Sequence, residues 1–174
     1  MKENEKTVIC LLPKFPWSKG RIGPEKWQDW YHGCKLAAKI TNGTKNCFII
    51  MPSGFKKDEY VETEFYHKIL CDMVPEEKIK TIFQGSETIS QLDAFFNQKY
   101  DGKIIIVSTF LHFSRVWWLC RGKGVKHKVV FGIPRPKEMI ADIILTFVFP
   151  IIDILGMRQW FLKKVTARRE SGKI

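Results

Sequence analysis

The stretch that decides the fold is Lys103-Ile104-Ile105-Ile106-Val107-Ser108, in which four consecutive β-branched residues follow a lysine and are followed by a hydroxyl side chain. Continuous apolar runs of this length are typical of strands covered on both faces, as in parallel sheets. Four more runs resemble it, the last of them more weakly: Thr7–Leu12, Cys47–Met51, Lys128–Phe131 and Lys80–Phe83. The chain therefore contains the strands of a sheet of about five members.

Between these runs, apolar residues recur at three- and four-residue spacing, which is typical of helices. The predicted helices are one opened by Pro24 and followed by Gly43, one over about Asp58–Met73, one after the capping residue Ser86, and one over about Leu111–Arg121. Strands that alternate with helices indicate an α/β fold. We expect a Rossmann-like, doubly wound three-layer sandwich with a mostly parallel sheet of about five strands and a helical C-terminus.

The C-terminal part of the chain has the pattern of one or two long helices, and Pro150 should kink or divide them. Its most apolar stretch, Ile143–Ile152, is about half of the roughly 20 apolar residues that a membrane span needs. We therefore expect a buried helix there and not a transmembrane one. A single Rossmann-like domain is predicted over residues 7–165, with flexible charged ends at 1–6 and 166–174.

The composition is ordinary for a globular domain of 174 residues, with 45% hydrophobic and 27% charged residues. A formal net charge of +11 favours anionic partners, although solubility alone explains it equally well. No zinc-finger, bZIP or RNP-type signature is present, so nucleic-acid binding is unsupported. The five cysteines have no close pairing and no zinc-ligand spacing, which indicates reduced core thiols in a cytoplasmic protein without a metal site.

Polar or glycine-containing loops follow the predicted strands, at the edge where ligands bind in open α/β sheets. The residues are Lys14 and Ser18–Arg21 after the first strand, Ser53 and Gly54 after the second, Gln84–Thr88 after the third, and Ser108 and Thr109 with His112 and Arg115 after the fourth. The sequence therefore predicts a polar pocket at this edge.

The fourth loop carries the most specific signal, because His112 and Arg115 lie three apart at a helix start and share a face. The helix N-terminus attracts an anion, and Arg115 can hold phosphate or carboxylate with two parallel hydrogen bonds. His112 can act as a general acid or base, and Ser108 and Thr109 add hydroxyl donors. The alternative is that Arg115 pairs with a surface acid and His112 caps its helix.

The segment Ser108–Arg115 resembles the signature Thr-Ser-x-x-His-x-x-Arg of the family that includes ElyC, SanA and YdcF, which is largely of unknown function. Other segments resemble the family in the same order: Ile49–Gly54, Glu62–Glu64, Ser86–Thr88 and Ile152–Gly156. The second of these stands where the family has a Glu on the helix after that strand. Together they cover about residues 7–165. Phe55 replaces the second Gly of a Ser-Gly-Gly motif, Glu87 stands where Asn is usual, and Asp153 stands for Glu.

The resemblance implies a nucleotide-like ligand, with S-adenosylmethionine as one candidate, and a link to cell-envelope polymer metabolism. The chain would then be a transferase or hydrolase acting on an anionic substrate. Ser53 and Gly54 would let the backbone approach that ligand. Glu62 or Glu87 would orient His112, bind a ribose hydroxyl or hold a divalent cation, and Thr88 belongs to the same ligand loop.

Two other functions stay open. A non-enzymatic interaction module would use the aromatic-rich body of the protein, with Trp17 as an exposed anchor. A weak peripheral membrane contact would place Trp160, Phe161 and the basic residues of Gly156–Ile174 against acidic headgroups. A solvated helix end explains the same basic segment without any membrane.

Overall fold

A computed structural model describes residues 6–13, 29–57, 60–132 and 136–170. The strands are β1 Thr7–Leu11, β2 Cys47–Pro52, β3 Lys56–Lys57, β4 Tyr60–Val61, β5 Ile79–Ile82, β6 Lys103–Thr109 and β7 Lys126–Val130. Five of them form one parallel sheet, and the short β3 and β4 pair antiparallel as a separate hairpin. All five sheet strands lie where the apolar runs predict them, with small shifts at their ends.

The strands of the sheet lie in the order β5-β2-β1-β6-β7. The chain winds outward from β1 to β5 in one direction and then from β6 to β7 in the other, so the order reverses between β1 and β6. This is the doubly wound Rossmann order, whose ligands bind outside the carboxyl ends of the strands at that reversal. We call the end of the sheet at which all five strands finish the carboxyl edge.

The helices are α1 Asp29–Asn42, α2 Glu62–Cys71, α3 Thr88–Phe96, α4 Phe110–Cys120, α5 Pro136–Ile154 and α6 Arg158–Glu170, with a 3-10 turn at Glu76–Lys78. Alternate residues of β1 enter two separate cores, because side chains alternate across a strand. Ile9 and Leu11 pack with α1 and α2, whereas Val8 and Cys10 pack with α3 and α4. The three-layer α/β sandwich predicted from the sequence is confirmed.

Two helix starts differ from the predictions for local reasons. The second helix begins at Glu62 because Tyr60–Val61 pairs with Lys56–Lys57 in the short hairpin. The third helix is capped by Glu87 and not by Ser86, since the Glu87 carboxylate accepts the first free backbone N–H groups of that helix. Pro24, predicted to open the first helix, lies outside the described residues.

Pro150 lies inside α5 and does not divide the C-terminal helices. Contacts between α4 and α5 on both sides of it, through Thr146 and Asp153, hold α5 together although proline removes one helical hydrogen bond. The break comes instead at Gly156, whose φ of 71° ends the helix. Helix α6 then runs to Glu170, beyond the predicted domain end at residue 165, and the ends at 1–5 and 171–174 lie outside the described residues.

The expectation that Ile143–Ile152 forms a buried helix is wrong. The segment is helical, but Ile144, Phe147 and Ile151 are 54%, 71% and 59% exposed. The reason is that α5 packs against α4 and not against the sheet, so that only one of its sides is covered. Within the described ranges, no helix combines the length and the apolar character needed to cross a membrane.

The cysteine side chains are free thiols, and four of the five are buried. Cys10 and Cys47 lie in β1 and β2, as their apolar surroundings predict. Burial raises the pKa of the Cys34 and Cys120 thiols to about 12. These two side chains are therefore packing groups and not nucleophiles, because the thiolate is the reactive form.

Candidate functional site

The N-terminal ends of α3 and α4 are joined by a hydrogen bond at the carboxyl edge. Thr88 is the first residue of α3, and its Oγ1 lies 2.5 Å from Nε2 of His112 in the first turns of α4. Both helices pack on the same face of the sheet, which is why their first turns meet. Two of the residues predicted for the site, from different loops, are therefore in direct contact.

The neighbouring Arg115 determines which nitrogen of His112 carries the proton. Arg115 Nη2 lies 3.3 Å from His112 Nδ1. A guanidinium can only donate, so Nδ1 accepts and the neutral imidazole keeps its proton on Nε2. That proton is donated to Thr88 Oγ1, which leaves the Thr88 hydroxyl proton for a further acceptor.

The guanidinium of Arg115 forms a short ion pair with Asp142 of α5, and the two side chains are only 12% and 11% exposed. Arg115 therefore pairs with an acid, as the alternative interpretation of the sequence proposes, but this acid is largely buried. Nη2 serves both Asp142 and His112, so that Arg115 orients the imidazole and ties α4 to α5. Asp142 lies far from Arg115 in the chain and carries no motif of its own, so this pairing was not predicted from the sequence.

A second buried network lies under the loop that follows β2. Ser53 Oγ donates to Glu62 Oε2 at 2.5 Å and accepts from the Phe55 N–H at 3.1 Å. Gln91 Nε2 of α3 lies 3.4 Å from the same Glu62 oxygen. Glu62 therefore holds this loop through Ser53 and Gln91. Gln91 was not predicted as a site residue. The sequence signal that points to it is its position three residues after Thr88, on the same face of the same helix.

The backbone of Ser53 and Gly54 is bonded within the protein. Ser53 N donates to Ile82 O at 2.8 Å, and Gly54 N donates to Gly85 O at 2.6 Å. Neither N–H is left to donate to a ligand, although the sequence predicts a close approach there. Gly85 has a φ of 84°, and a Cβ on it would lie 2.5 Å from Gln91 N, so only glycine fits.

The carboxylate of Glu87 is used as a helix cap. Its Oε2 accepts from Ile89 N at 2.9 Å and its Oε1 accepts from Ser90 N at 2.8 Å. Glu87 is buried, and both oxygens carry these bonds. One role predicted for Glu87 is to orient His112. In the structure Thr88 makes the hydrogen bond to that imidazole. Glu87 also neutralises the positive end of the α3 dipole.

The N-terminus of α4, in contrast, has no such cap. Thr109 precedes α4 without a side-chain hydrogen bond to it, and the first turn contains no acidic residue. The partial positive charge of this helix end is therefore left uncompensated by acidic side chains of its own turn. A helix start of this kind, at the strand-order reversal, is suited to binding an anion.

Two hydroxyl groups at the end of β6 are buried without a hydrogen-bond partner among the described residues. Ser108 is 4% exposed and Thr109 is 9% exposed. Ser108 is on the same face of β6 as Ile106, towards α3 and α4, and Thr109 is on the opposite face. An unsatisfied buried hydroxyl costs about 1–3 kcal/mol, so each calls for a partner that the described chain does not supply.

Away from this edge, the structure brings together three potential metal ligands that the sequence analysis did not predict. His67, Cys71 and Glu76 place ligand atoms within 4.8 Å of one another. The types suit zinc, and the signal for them is a His and a Cys four residues apart on one helix. Glu76 is 77% exposed in its side chain, and its Oε1 lies 3.8 Å from His67 Nε2.

Part of the predicted site lies outside the described residues. This part includes Lys14 and Ser18–Arg21 of the loop after β1, and also Trp17. Comparison of the chain with protein-family models, with curated proteins and with solved structures gives no match in any of the three. The resemblance to ElyC, SanA and YdcF therefore stays a prediction, and the geometry described above carries the functional argument.

Proposed function

We propose that the chain binds a phosphorylated or nucleotide-like small molecule at the carboxyl edge, with its anionic group at the N-terminus of α4. The observation that carries the proposal is the pair of buried Ser108 and Thr109 hydroxyls, which have no hydrogen-bond partner among the described residues. They lie on opposite faces of β6 at its carboxyl end, where the strand order reverses, and acceptor oxygens of a ligand that spans this end would satisfy both of them.

In this proposal His112 acts on the ligand through Thr88, whose hydroxyl accepts the Nε2 proton of His112 and donates its own proton to the ligand. An imidazole titrates near neutrality, which suits a general acid or base. Arg115 becomes a positioning residue, because its guanidinium already serves Asp142 and His112. A transferase or hydrolase acting on an anionic substrate is the reaction class we propose.

S-adenosylmethionine stays a candidate ligand on the strength of the family resemblance. It would bring ribose hydroxyls and a carboxylate to the site and no phosphate. The link to cell-envelope polymers rests on the resemblance alone. A non-enzymatic interaction module stays a prediction as well, since its proposed anchor Trp17 lies outside the described residues.

The test is a thermal-shift screen of the full chain with nucleotides, sugar phosphates, S-adenosylmethionine and inorganic phosphate. A compound that binds only the native state at about 100 times its Kd raises the free energy of unfolding by about 2.7 kcal/mol. For a chain of this size that corresponds to a rise in Tm of roughly 5–10 °C. A screen in which no compound shifts Tm contradicts the proposal.

Variants then locate the binding site for the compound that gives the largest shift. Ser108→Ala and Thr109→Val should each weaken binding by about tenfold or more, because a hydrogen bond to a charged acceptor contributes roughly 1.5–3 kcal/mol. Ser114→Ala is the matched control, since it removes a hydroxyl from α4 that contacts Thr146 of α5 instead. Equal affinity in all three variants would show that the ligand does not bind at Ser108 and Thr109.

A substitution of His112 separates binding from chemistry. His112→Gln keeps an amide N–H donor near Thr88 but cannot exchange a proton near neutral pH. We expect the affinity to change little and any turnover to be lost. If His112→Ala leaves both the affinity and the turnover unchanged, the role assigned to His112 is wrong.

A further inference from the structure

Helix α5 turns three polar side chains towards the protein and most of its large apolar side chains towards solvent, with Phe149 as the buried exception. Asp142 pairs with Arg115, Thr146 bonds Ser114, and Asp153 accepts from the Trp118 indole N–H at 2.8 Å. A helix on the surface of a soluble domain normally has the opposite arrangement, with its apolar stripe against the core. The polar contacts with α4 leave the apolar side of α5 uncovered.

The uncovered side forms a continuous stripe along the helix. Its members within the helix recur at three- and four-residue spacing, and Leu155 follows directly after the last of them. We call this set the outer face of α5: Ile140, Ile144, Phe147, Ile151, Ile154 and Leu155. Each is more than half exposed. Large exposed apolar patches of this kind mark surfaces that bind a partner or a membrane.

The helix that follows begins four residues after α5 ends and adds positive charge next to the C-terminal end of α5. Helix α6 carries Arg158, Lys163, Lys164, Arg168 and Arg169 against the single acid Glu170. Lys163 and Lys164 are exposed, and so is Trp160, a residue type enriched at membrane interfaces. Phe161 is directed elsewhere, since its ring contacts Phe149 at a centroid distance of 5.7 Å.

We propose that the outer face of α5 and the basic side chains of α6 bind the surface of an anionic lipid bilayer. The apolar stripe would enter the boundary between headgroups and acyl chains, and the lysines of α6 would contact the acidic headgroups. This proposal is independent of the ligand site at the carboxyl edge.

A bilayer fits these surfaces better than a second copy of the chain does. In a symmetric dimer formed through the outer face, the adjoining α6 helices would bring like charges of the two copies close together. The chain as a whole carries a formal charge of +11, which adds to that repulsion. An anionic surface reverses the sign of the same interaction and makes it attractive.

The helix would lie along the bilayer and not across it. Its 19 residues span about 28 Å, but Asp142 and Asp153 are held by side chains of α4 along its inner side. Inserting α5 across the bilayer would break these bonds and bury the carboxylates in hydrocarbon. A helix that keeps a polar face on protein and an apolar face outward suits an interfacial position.

The experiment is flotation of the full chain with vesicles of phosphatidylcholine alone and of phosphatidylcholine with phosphatidylglycerol. We expect binding to the anionic vesicles, with weaker binding in high salt. The double variant Phe147→Glu/Ile151→Glu should lose at least tenfold in the partition coefficient. Lys163→Gln/Lys164→Gln should lose about thirtyfold at low salt, because each surface cation near an acidic bilayer contributes roughly fivefold.

Matched controls separate this surface from charge and apolar character in general. Phe83→Glu alters another exposed apolar side chain, 61% exposed at the end of β5, and should bind as the unmodified protein does. Lys35→Gln/Lys39→Gln removes the same charge from α1 and should change binding by less than about threefold. Circular dichroism of every variant verifies that the fold is kept.

Three outcomes overturn the proposal. One is equal or absent binding to the two kinds of vesicle. Another is binding that persists unchanged in both the apolar and the lysine double variants. The third is a dimer in light scattering that Phe147→Glu/Ile151→Glu converts to a monomer, with no vesicle binding, which would assign the outer face to a second copy of the chain.

Discussion

Helices α1 and α5 are both rich in apolar residues, yet they bury opposite sides. Helix α1 buries Trp30 and Ala37 and leaves Lys39 in solvent. Helix α5 buries Asp142 and leaves Phe147 in solvent. Apart from the buried Phe149, the two helices therefore follow the same periodicity with inverted polarity towards the protein.

The surface on which each helix packs explains the difference. Helix α1 lies on the sheet, where Ile9 and Leu11 present a dry apolar layer. Helix α5 lies on α4, which offers it Arg115 and Trp118 with their N–H donors. A buried donor needs an acceptor, so the polar side of α5 becomes the inner one. Amphipathicity thus predicts that a helix has two faces, and the packing partner selects which one is buried.

The largest expected effect compares a substitution on the buried side of α1 with one on the exposed side of α5. Ala37→Asp places an unpaired carboxylate in the core between α1 and the sheet, and we expect a loss of more than about 3 kcal/mol in the free energy of unfolding. Ile144→Asp makes a comparable change on the outer face of α5 and should change it by less than about 0.5 kcal/mol. Urea unfolding measures both. Similar losses in the two variants would mean that the outer face is covered in solution.

A second prediction concerns the ion pair on the inner side of α5. Asp142→Ala leaves Arg115 without its carboxylate and should cost about 3 kcal/mol, because a largely buried charge loses its partner. Replacing both residues, as Arg115→Met/Asp142→Leu, should recover most of that loss. A double-mutant cycle in denaturant measures the coupling. Additive losses in the cycle would show that the pair does not hold α5 to α4.

The smallest effect concerns a half-buried imidazole whose ring contacts Phe113 of α4. Burial lowers the pKa of His127 in β7 from its ordinary value of 6.5, and its Nδ1 has no hydrogen-bond partner among the described residues. The unfolded chain therefore binds more protons, so this contribution to stability is present above pH 6.5 and is lost as the pH falls below it.

Thermal unfolding between pH 7.5 and 5 measures this contribution. The Tm of the His127→Gln variant should fall less on acidification than the Tm of the unmodified protein, because glutamine does not titrate. His32→Gln, on α1, is the matched control and should keep the full pH dependence. An acid-induced fall in Tm that is the same in both variants would assign the effect to other groups.

One contact of the candidate site was predictable, because it depends on strand ends that follow from local patterns. Thr88 and His112 follow strands that end at one edge, and the structure places them in contact. The pairing of Arg115 with Asp142 was not predictable, since it depends on how α5 packs on α4. The role of Glu87 as a cap was missed because a carboxylate before a helix is equally suited to capping and to ligand binding.

The sequence by itself determined the strands, the helices and the alternation that makes the fold α/β, because apolar periodicity is a local property of the chain. The tertiary structure alone decided which side of α5 faces the protein, and where the guanidinium of Arg115 finds its carboxylate. These outcomes depend on contacts between residues distant in sequence, where the need to pair each buried polar group outweighs the preference of any single helix.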